Sequence, residues 1–263
     1  VIQARGLTKR YGDLVAVEDI DFSLVRGEVV GFLGPNGAGK TTTLRMLTGF
    51  LPPTDGTAVI AGHDIFGDPI AARRAIGYLP EMPPLYPEMT VRSFLAYVAR
   101  IKDVPRVERR AAVDRALERT ALTDVRRQVI GTLSRGFRQR VGLAQAIVHK
   151  PPVLILDEPT AGLDPLQIRE IRALIAELTA PSQGDTQHTV ILSTHILAEV
   201  DAICRRVIMI HQGRKVVDAP LSELTSGGHT LDQIFTEHTA HDAVDDLALP
   251  SKPTVESESG SAS

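Results

Sequence analysis

The apolar run EVVGFL, residues 28–33, leads directly into GPNGAGKT, residues 34–41, and a helical pattern, TTTLRMLTG, takes over from Thr41. A strand, a glycine-rich loop and a helix in that order leave a chain few ways to fold. Glycines let the loop turn with its backbone N–H groups facing inward, and the helix adds the positive end of its dipole. The eight residues fit the phosphate-loop pattern G-x-x-x-x-G-K-[ST] in the strand–loop–helix setting the pattern requires. Gly34, Pro35, Asn36, Gly37, Ala38 and Gly39 then form the cradle. Lys40 is expected to pair with β- and γ-phosphates, Thr41 to ligate Mg²⁺ and Thr42 to reach the α-phosphate. A glycine-rich turn that binds nothing is the alternative, and the full match disfavours it.

Two further apolar runs end in chemistry. VLIL, residues 153–156, delivers Asp157 and Glu158, and TVILS, residues 189–193, ends at Thr194 and His195. In an open α/β sheet ligands bind at the carboxyl ends of the strands, so these three side chains are placed where a nucleotide would lie. Asp157 suits a Mg²⁺ shell. Glu158 suits the water-orienting role that phosphoryl transfer asks of a protein, which otherwise contributes positioning and charge. His195 can donate a hydrogen bond toward a γ-phosphate. Taken alone, the acid pair could be a capping cluster before Pro159, and a lone histidine is more often structural.

Between these runs the pattern is helical, which argues an α/β fold with a mainly parallel sheet. The first 25 residues differ: IQARGLTK and LVAVEDIDFSLV alternate partially around a Tyr11-Gly12-Asp13 turn and predict an antiparallel β subdomain. Between Thr90 and His149 three helical segments are expected, the second with Pro105 at its start and the third beginning after Ser134. RRVIMIHQGRKVVDAP predicts two strands around Gln212-Gly213, and SELTS and LDQIFTEH predict two closing helices separated at Gly227 and Gly228. From about residue 240 the chain is acidic and then serine-rich, a composition expected to stay mobile.

Composition excludes more than it identifies. The 263 residues, 43% of them hydrophobic, suffice for one large domain with an appendage. A formal charge of -3 argues against direct nucleic-acid binding. The single cysteine, Cys204, excludes an internal disulfide and lies in an apolar helical pattern that predicts an inert buried thiol. No apolar run reaches the length of a membrane span and no signal-peptide pattern opens the chain, so a cytoplasmic location is expected.

The remaining motif is LSRGFRQR, residues 133–140. With it, the order Tyr11, GPNGAGKT, Glu81, LSRGFRQR, LILDEP, AGLD and His195 resembles the ATP-binding subunits of ABC transporters over roughly Ile2 to Glu237. LSRGFRQR looks like that family's signature, and its combination with DEPTAGLDP makes the resemblance very specific. The resemblance implies a P-loop NTPase core, an antiparallel β subdomain and a helical ABC-specific subdomain at about 82–150. It gives an ATP-binding domain over 1–226, a helical extension over 227–239 and a tail over 240–263.

It also implies function. ATP and Mg²⁺ are the expected ligands, with Tyr11 stacking on adenine, Glu81 near the metal and attacking water, and Asp164 in the D-loop. Ser134 and Gly136 would cap the γ-phosphate of ATP held by a second copy, in a head-to-tail dimer enclosing two nucleotides. The bland reading of Ser134, an ordinary helix cap, can hold at the same time. Leu85, Tyr86, Phe94 and Tyr97 would border the groove for a separate transmembrane subunit, or else pack as core. The expected work is ATP hydrolysis driving that subunit, an exporter, from the inner face of the cell membrane. A soluble ABC ATPase acting on ribosomes or nucleic acid is the rival. Two departures stand out: Arg135 and Phe137 replace the family's usual glycine and glutamine, and Glu81 replaces its usual glutamine.

Overall fold

The computed structural model describes residues 1–179 and 187–239. The chain opens with a hairpin of β1 (Ile2–Tyr11) and β2 (Leu14–Leu24), closed at Gly12-Asp13. Next come β3 (Val29–Leu33), the glycine-rich loop and α1 (Lys40–Leu47). Four short elements follow that the sequence patterns above did not predict: β4 (Asp55–Ile60), β5 (His63–Asp64), α2 (Pro69–Arg74) and β6 (Ile76–Leu79). The helical stretch supplies α3 (Val91–Ile101), α4 (Arg109–Arg119) and α5 (Arg135–Ile147). Then come β7 (Val153–Asp157), α6 (Pro165–Thr179), β8 (Thr189–Thr194) and α7 (Leu197–Ile203). The described chain ends with β9 (Arg206–His211), β10 (Arg214–Pro220), α8 (Leu221–Leu224) and α9 (Leu231–Thr239). The expected tail lies outside the described residues.

Two sheets result. One is antiparallel, in the order β2-β1-β4-β5. The other runs β10-β9-β3-β8-β7-β6, parallel except for the β9–β10 hairpin at its edge. Its central strands are apolar on both faces, which is why they read as continuous runs rather than alternating ones. Val30, Phe32, Ile155, Ile191 and Ile208 pack with the antiparallel sheet and α1. Leu33, Leu154, Leu156, Leu192 and Met209 point the other way, into a core shared with the helical stretch, α6, α7 and α9.

One boundary differs from expectation. Pro105 does not open α4 but precedes it by a turn in which the N–H groups of Glu108 and Arg109 both donate to the Pro105 carbonyl. Cys204 is buried at the C-terminal cap of α7, and burial pushes its thiol up to about 12, as an inert thiol requires. No helix among the described residues is long and apolar enough to cross a membrane.

Candidate functional site

The parallel register brings the carboxyl ends of β3, β7 and β8 side by side, with Leu33 opposite Thr194 and Asp157 opposite Ser193. The loop after β3 therefore faces the residues after β7 and β8. At its end Gly39 takes φ 103°, and a Cβ there would stand 2.8 Å from the Ala16 carbonyl, so a side chain would drive β2 away from the loop. Gly39 also serves as the N-cap of α1 without any side-chain cap. The first-turn N–H groups of Lys40, Thr41 and Thr42 thus have no partner within the helix and point toward the space before it. That is the donor set a phosphate needs.

A cleft of about 280 Å³ opens over this loop. Pro35 to Thr42 form its floor, and Glu81, Glu158 and His195 close its sides. Ala16, which no motif singled out, and Ala161, the first residue of AGLD, also line it. Lys40 is buried and donates from Nζ to the carbonyls of Gly34 at 2.7 Å and Pro35 at 3.1 Å, with a Glu158 oxygen 3.8 Å away. Thr41 Oγ1 donates to Asp157 Oδ1 at 3.4 Å. Glu158 adopts φ 48°, unusual for a residue with a Cβ, at a backbone cost of about 1 kcal/mol. That kink at the end of β7 lets consecutive carboxylates serve one site, and the Glu158 N–H is held by the Ser193 carbonyl at 2.9 Å. His195 Nδ1 lies 3.0 Å from both Glu158 oxygens.

The electrostatics are unbalanced in a revealing way. Burial pulls the Lys40 ammonium below the ordinary lysine range although Glu158 and Asp157 pull it up. Burial also pushes the Asp157 carboxyl up, against the opposing pull of the nearby Ser193 and Thr41 hydroxyls. Glu158 is raised by burial too, against His195 and Lys40. Desolvation therefore outweighs attraction for all three charges. A bound polyanion beside Lys40 and a cation beside Asp157 are the partners that would reverse this.

Not every residue singled out in the sequence lies here. Tyr11 sits half exposed at the β1–β2 hairpin, outside the cleft wall, with Lys9 Nζ 5.3 Å from its ring centre. Asp164 caps α6, accepting from the N–H groups of Leu166 and Gln167 at 3.0 and 2.9 Å. Ser134 caps α5 by accepting from Phe137 N–H at 3.3 Å, and Gly136 is packed against Gln167 of α6. Ser134 and Gly136 border a small separate hollow with Phe137 and Glu170 and do not line the loop cleft.

Sequence patterns also missed a buried carboxylate, Glu199 of α7, which accepts from the Thr160 hydroxyl two residues beyond Glu158. An acid inside an otherwise apolar helical pattern was the available signal. Elsewhere, a groove of about 410 Å³ is lined by Phe50, Tyr78, Pro80, Met82 and Pro84, and Phe50 and Met82 are 78% and 82% exposed. None of Leu85, Tyr86, Phe94 and Tyr97 is in that lining: Tyr86 stacks edge-on to Tyr97 at 5.6 Å and lies against the buried Phe94.

Comparison with known proteins gives a consistent result. A family model described as ABC transporter matches residues 17–161. The bacitracin transport ATP-binding protein BcrA of Bacillus licheniformis is 38% identical over 224 residues, 85% of this chain and 71% of that protein. The linearmycin resistance ATP-binding protein LnrL of Bacillus subtilis is 34% identical over 236 residues, 89% of this chain and 74% of that protein. Among solved structures, an ATP binding subunit of an ABC transporter superposes with a TM-score of 0.80 at 30% identity, covering 90% of this chain and 98% of that one. The dimeric structure of MJ0796, a bacterial ABC transporter cassette, gives 0.74 at 26% identity, covering 84% of this chain and 99% of that one.

Proposed function

The chain belongs to the ABC transporter family as an ATP-binding subunit, and from that premise we propose that it hydrolyses ATP at the glycine-loop cleft between two head-to-tail copies of itself. Its family's work is ATP hydrolysis powering transport, the similar cassette MJ0796 is dimeric, and this reading gives the chain a separate transmembrane subunit to drive. The observation that carries the reading is the cleft itself. An uncapped helix N-terminus, a buried lysine and the desolvated Glu158 carboxyl border one space, with the desolvated Asp157 carboxyl bonded to Thr41 of its lining, and nucleotide with Mg²⁺ is the ligand pair that satisfies all of them.

In this mechanism the loop N–H groups and Lys40 hold the phosphates. Thr41 and Asp157, already in contact, would hold Mg²⁺, with Glu81 at the cleft edge; when bound, the ion neutralises phosphate charge. Glu158 orients a water and accepts its proton as the water oxygen bonds to the γ-phosphorus and the bond to ADP breaks. A carboxyl raised by burial is suited to taking that proton. His195 fixes the Glu158 carboxylate and braces the γ-phosphate. Tyr11 stacks on adenine once the hairpin adjusts around it.

Ser134 and Gly136 stand away from their own chain's cleft, as they must if they complete the site of a second copy. Asp164 sits at the same face, at the start of α6. The groove with the exposed Phe50 and Met82 is the docking surface this reading assigns to the separate transmembrane subunit. Relatives named for bacitracin transport, linearmycin resistance and Nod factor export cover most of this chain, which favours an exporter at the inner face of the membrane over a soluble ribosome or nucleic-acid ATPase.

Glu158→Gln tests the chemistry. It is expected to slow steady-state phosphate release at least about 100-fold while equilibrium ATP binding persists, and Lys40→Ala to weaken binding itself. Rapid multiple turnover by Glu158→Gln would remove Glu158 from its role.

A further inference from the structure

We propose that Arg135 is a positioning residue that ties the start of α5 to the turn following this chain's own Glu158. Arg135 stands where most of the family has glycine, so a side chain here is a feature of this sequence rather than of the signature motif. Its guanidinium donates from Nη2 to the carbonyl of Ala161 at 2.8 Å. It also lies directly against Gly162, where φ is 66° and a Cβ would fall 2.4 Å from Arg135 Cζ. The guanidinium can take that place only because residue 162 carries no side chain.

Ala161 is the link. Its N–H donates to the Glu158 carbonyl at 3.1 Å, its own carbonyl accepts from Arg135, and it lines the loop cleft. One residue therefore separates the guanidinium from the backbone of Glu158. A second approach supports the first: Gly136 lies so close to α6 that a Cβ would be 2.7 Å from Gln167 Oε1. Further along, Arg140 Nη2 pairs with Glu170 at 2.6 Å. The start of α5 is thus braced along α6 and its preceding loop, and Arg135 is the brace bonded to a residue that lines the cleft.

The inference rests on the two-copy reading. There, Ser134 and Gly136 touch the ATP of the second copy, whereas Ala161 and Glu158 belong to the site of their own chain. Arg135 then joins two sites that otherwise communicate only through the bodies of the subunits, and it sets Glu158 when the neighbouring site closes on Ser134. An exposed arginine bonded to a carbonyl contributes little to folding stability, so a functional effect and a folding effect are separable.

The test compares Arg135→Ala and Arg135→Lys with the unaltered chain in steady-state ATP hydrolysis, at several chain concentrations, alongside thermal melting without nucleotide. Arg135→Ala is expected to lower kcat about tenfold, through misplacement of Glu158, with KM changed less than about twofold and Tm within about 2 °C. Arg135→Lys is expected to recover part of kcat, because an ammonium reaches the same carbonyl but cannot lie flat on Gly162. An unchanged kcat in Arg135→Ala overturns the proposal, as does a loss that lysine fails to relieve or that tracks a fall in Tm. If the unaltered chain's rate per subunit is independent of concentration, the two-copy reading falls and this proposal with it. A concentration-dependent rate with an indifferent Arg135→Ala sinks the proposal alone.

Discussion

Asp157 is 1% exposed, and its carboxyl is raised from the usual aspartate value of 3.8 chiefly by desolvation. A raised acid binds protons more readily folded than unfolded, so stability falls as pH rises from that ordinary value through the raised one, and the penalty is complete above it. At neutral pH and without nucleotide or metal, Asp157 therefore destabilises the chain. Asp157→Asn keeps an oxygen for the Thr41 hydroxyl and removes the charge. It is expected to raise Tm at pH 7 in chelator, with the gain shrinking toward pH 4. Thermal melting of both proteins across that range checks this, and a variant that melts below the parent at pH 7 contradicts the desolvation account. The same variant should lose hydrolysis, since a residue kept at a cost to stability is kept for its charge.

At the scale of the element, α5 begins at a residue with one observed role and one proposed role. Ser134 accepts from Phe137 N–H and so caps a helix whose buried face carries Val141, Leu143 and Ala144. The cap is worth about 1 kcal/mol and the aspartate side chain can supply it equally well. Ser134→Ala should therefore lose about 1 kcal/mol of stability in denaturant unfolding, whereas Ser134→Asp should lose almost none. In hydrolysis the order changes. A carboxylate facing the second copy's γ-phosphate repels it, so Ser134→Asp should be the less active of the two. Were both variants equally active and differing only in stability, Ser134 would be a cap and nothing more.

At the scale of the whole molecule, the cleft and the signature helix do not meet within one chain. Neither Ser134 nor Gly136 lines the cleft walled by Lys40, Glu158 and His195, and under the two-copy reading a second copy completes the site. Association should depend on nucleotide, and blocking hydrolysis should preserve it. Glu158→Gln with ATP is expected to sediment at about twice the chain mass, with ADP as a monomer, because ADP lacks the phosphate that Ser134 would cap. Sedimentation velocity with each nucleotide decides; a Glu158→Gln chain that stays monomeric at saturating ATP contradicts the sandwich arrangement.

Local physics made much of this legible in the sequence. Strands β3, β7, β8 and β9 are buried on both faces and so announce themselves as apolar runs, and Gly39, Lys40 and Thr41 sit where a strand–loop–helix must turn. Their chemistry depends on residues adjacent in the chain. The sequence patterns missed β4 and β6, whose short runs are interrupted by Gly56 and Gly77, and placed Pro105 inside α4, because a few apolar residues carry no period long enough to read. They did not anticipate Ala161 in the cleft, the bond from Arg135 to its carbonyl, or Glu199 on Thr160. Sequence alone determined the parts of an ATP site and their order, since each part is a local pattern of backbone freedom and side-chain chemistry. Tertiary structure decided which parts share a cleft, how burial shifts their charges and that Ser134 and Gly136 stand apart from that cleft, because those depend on strand register and packing between residues far apart in the chain.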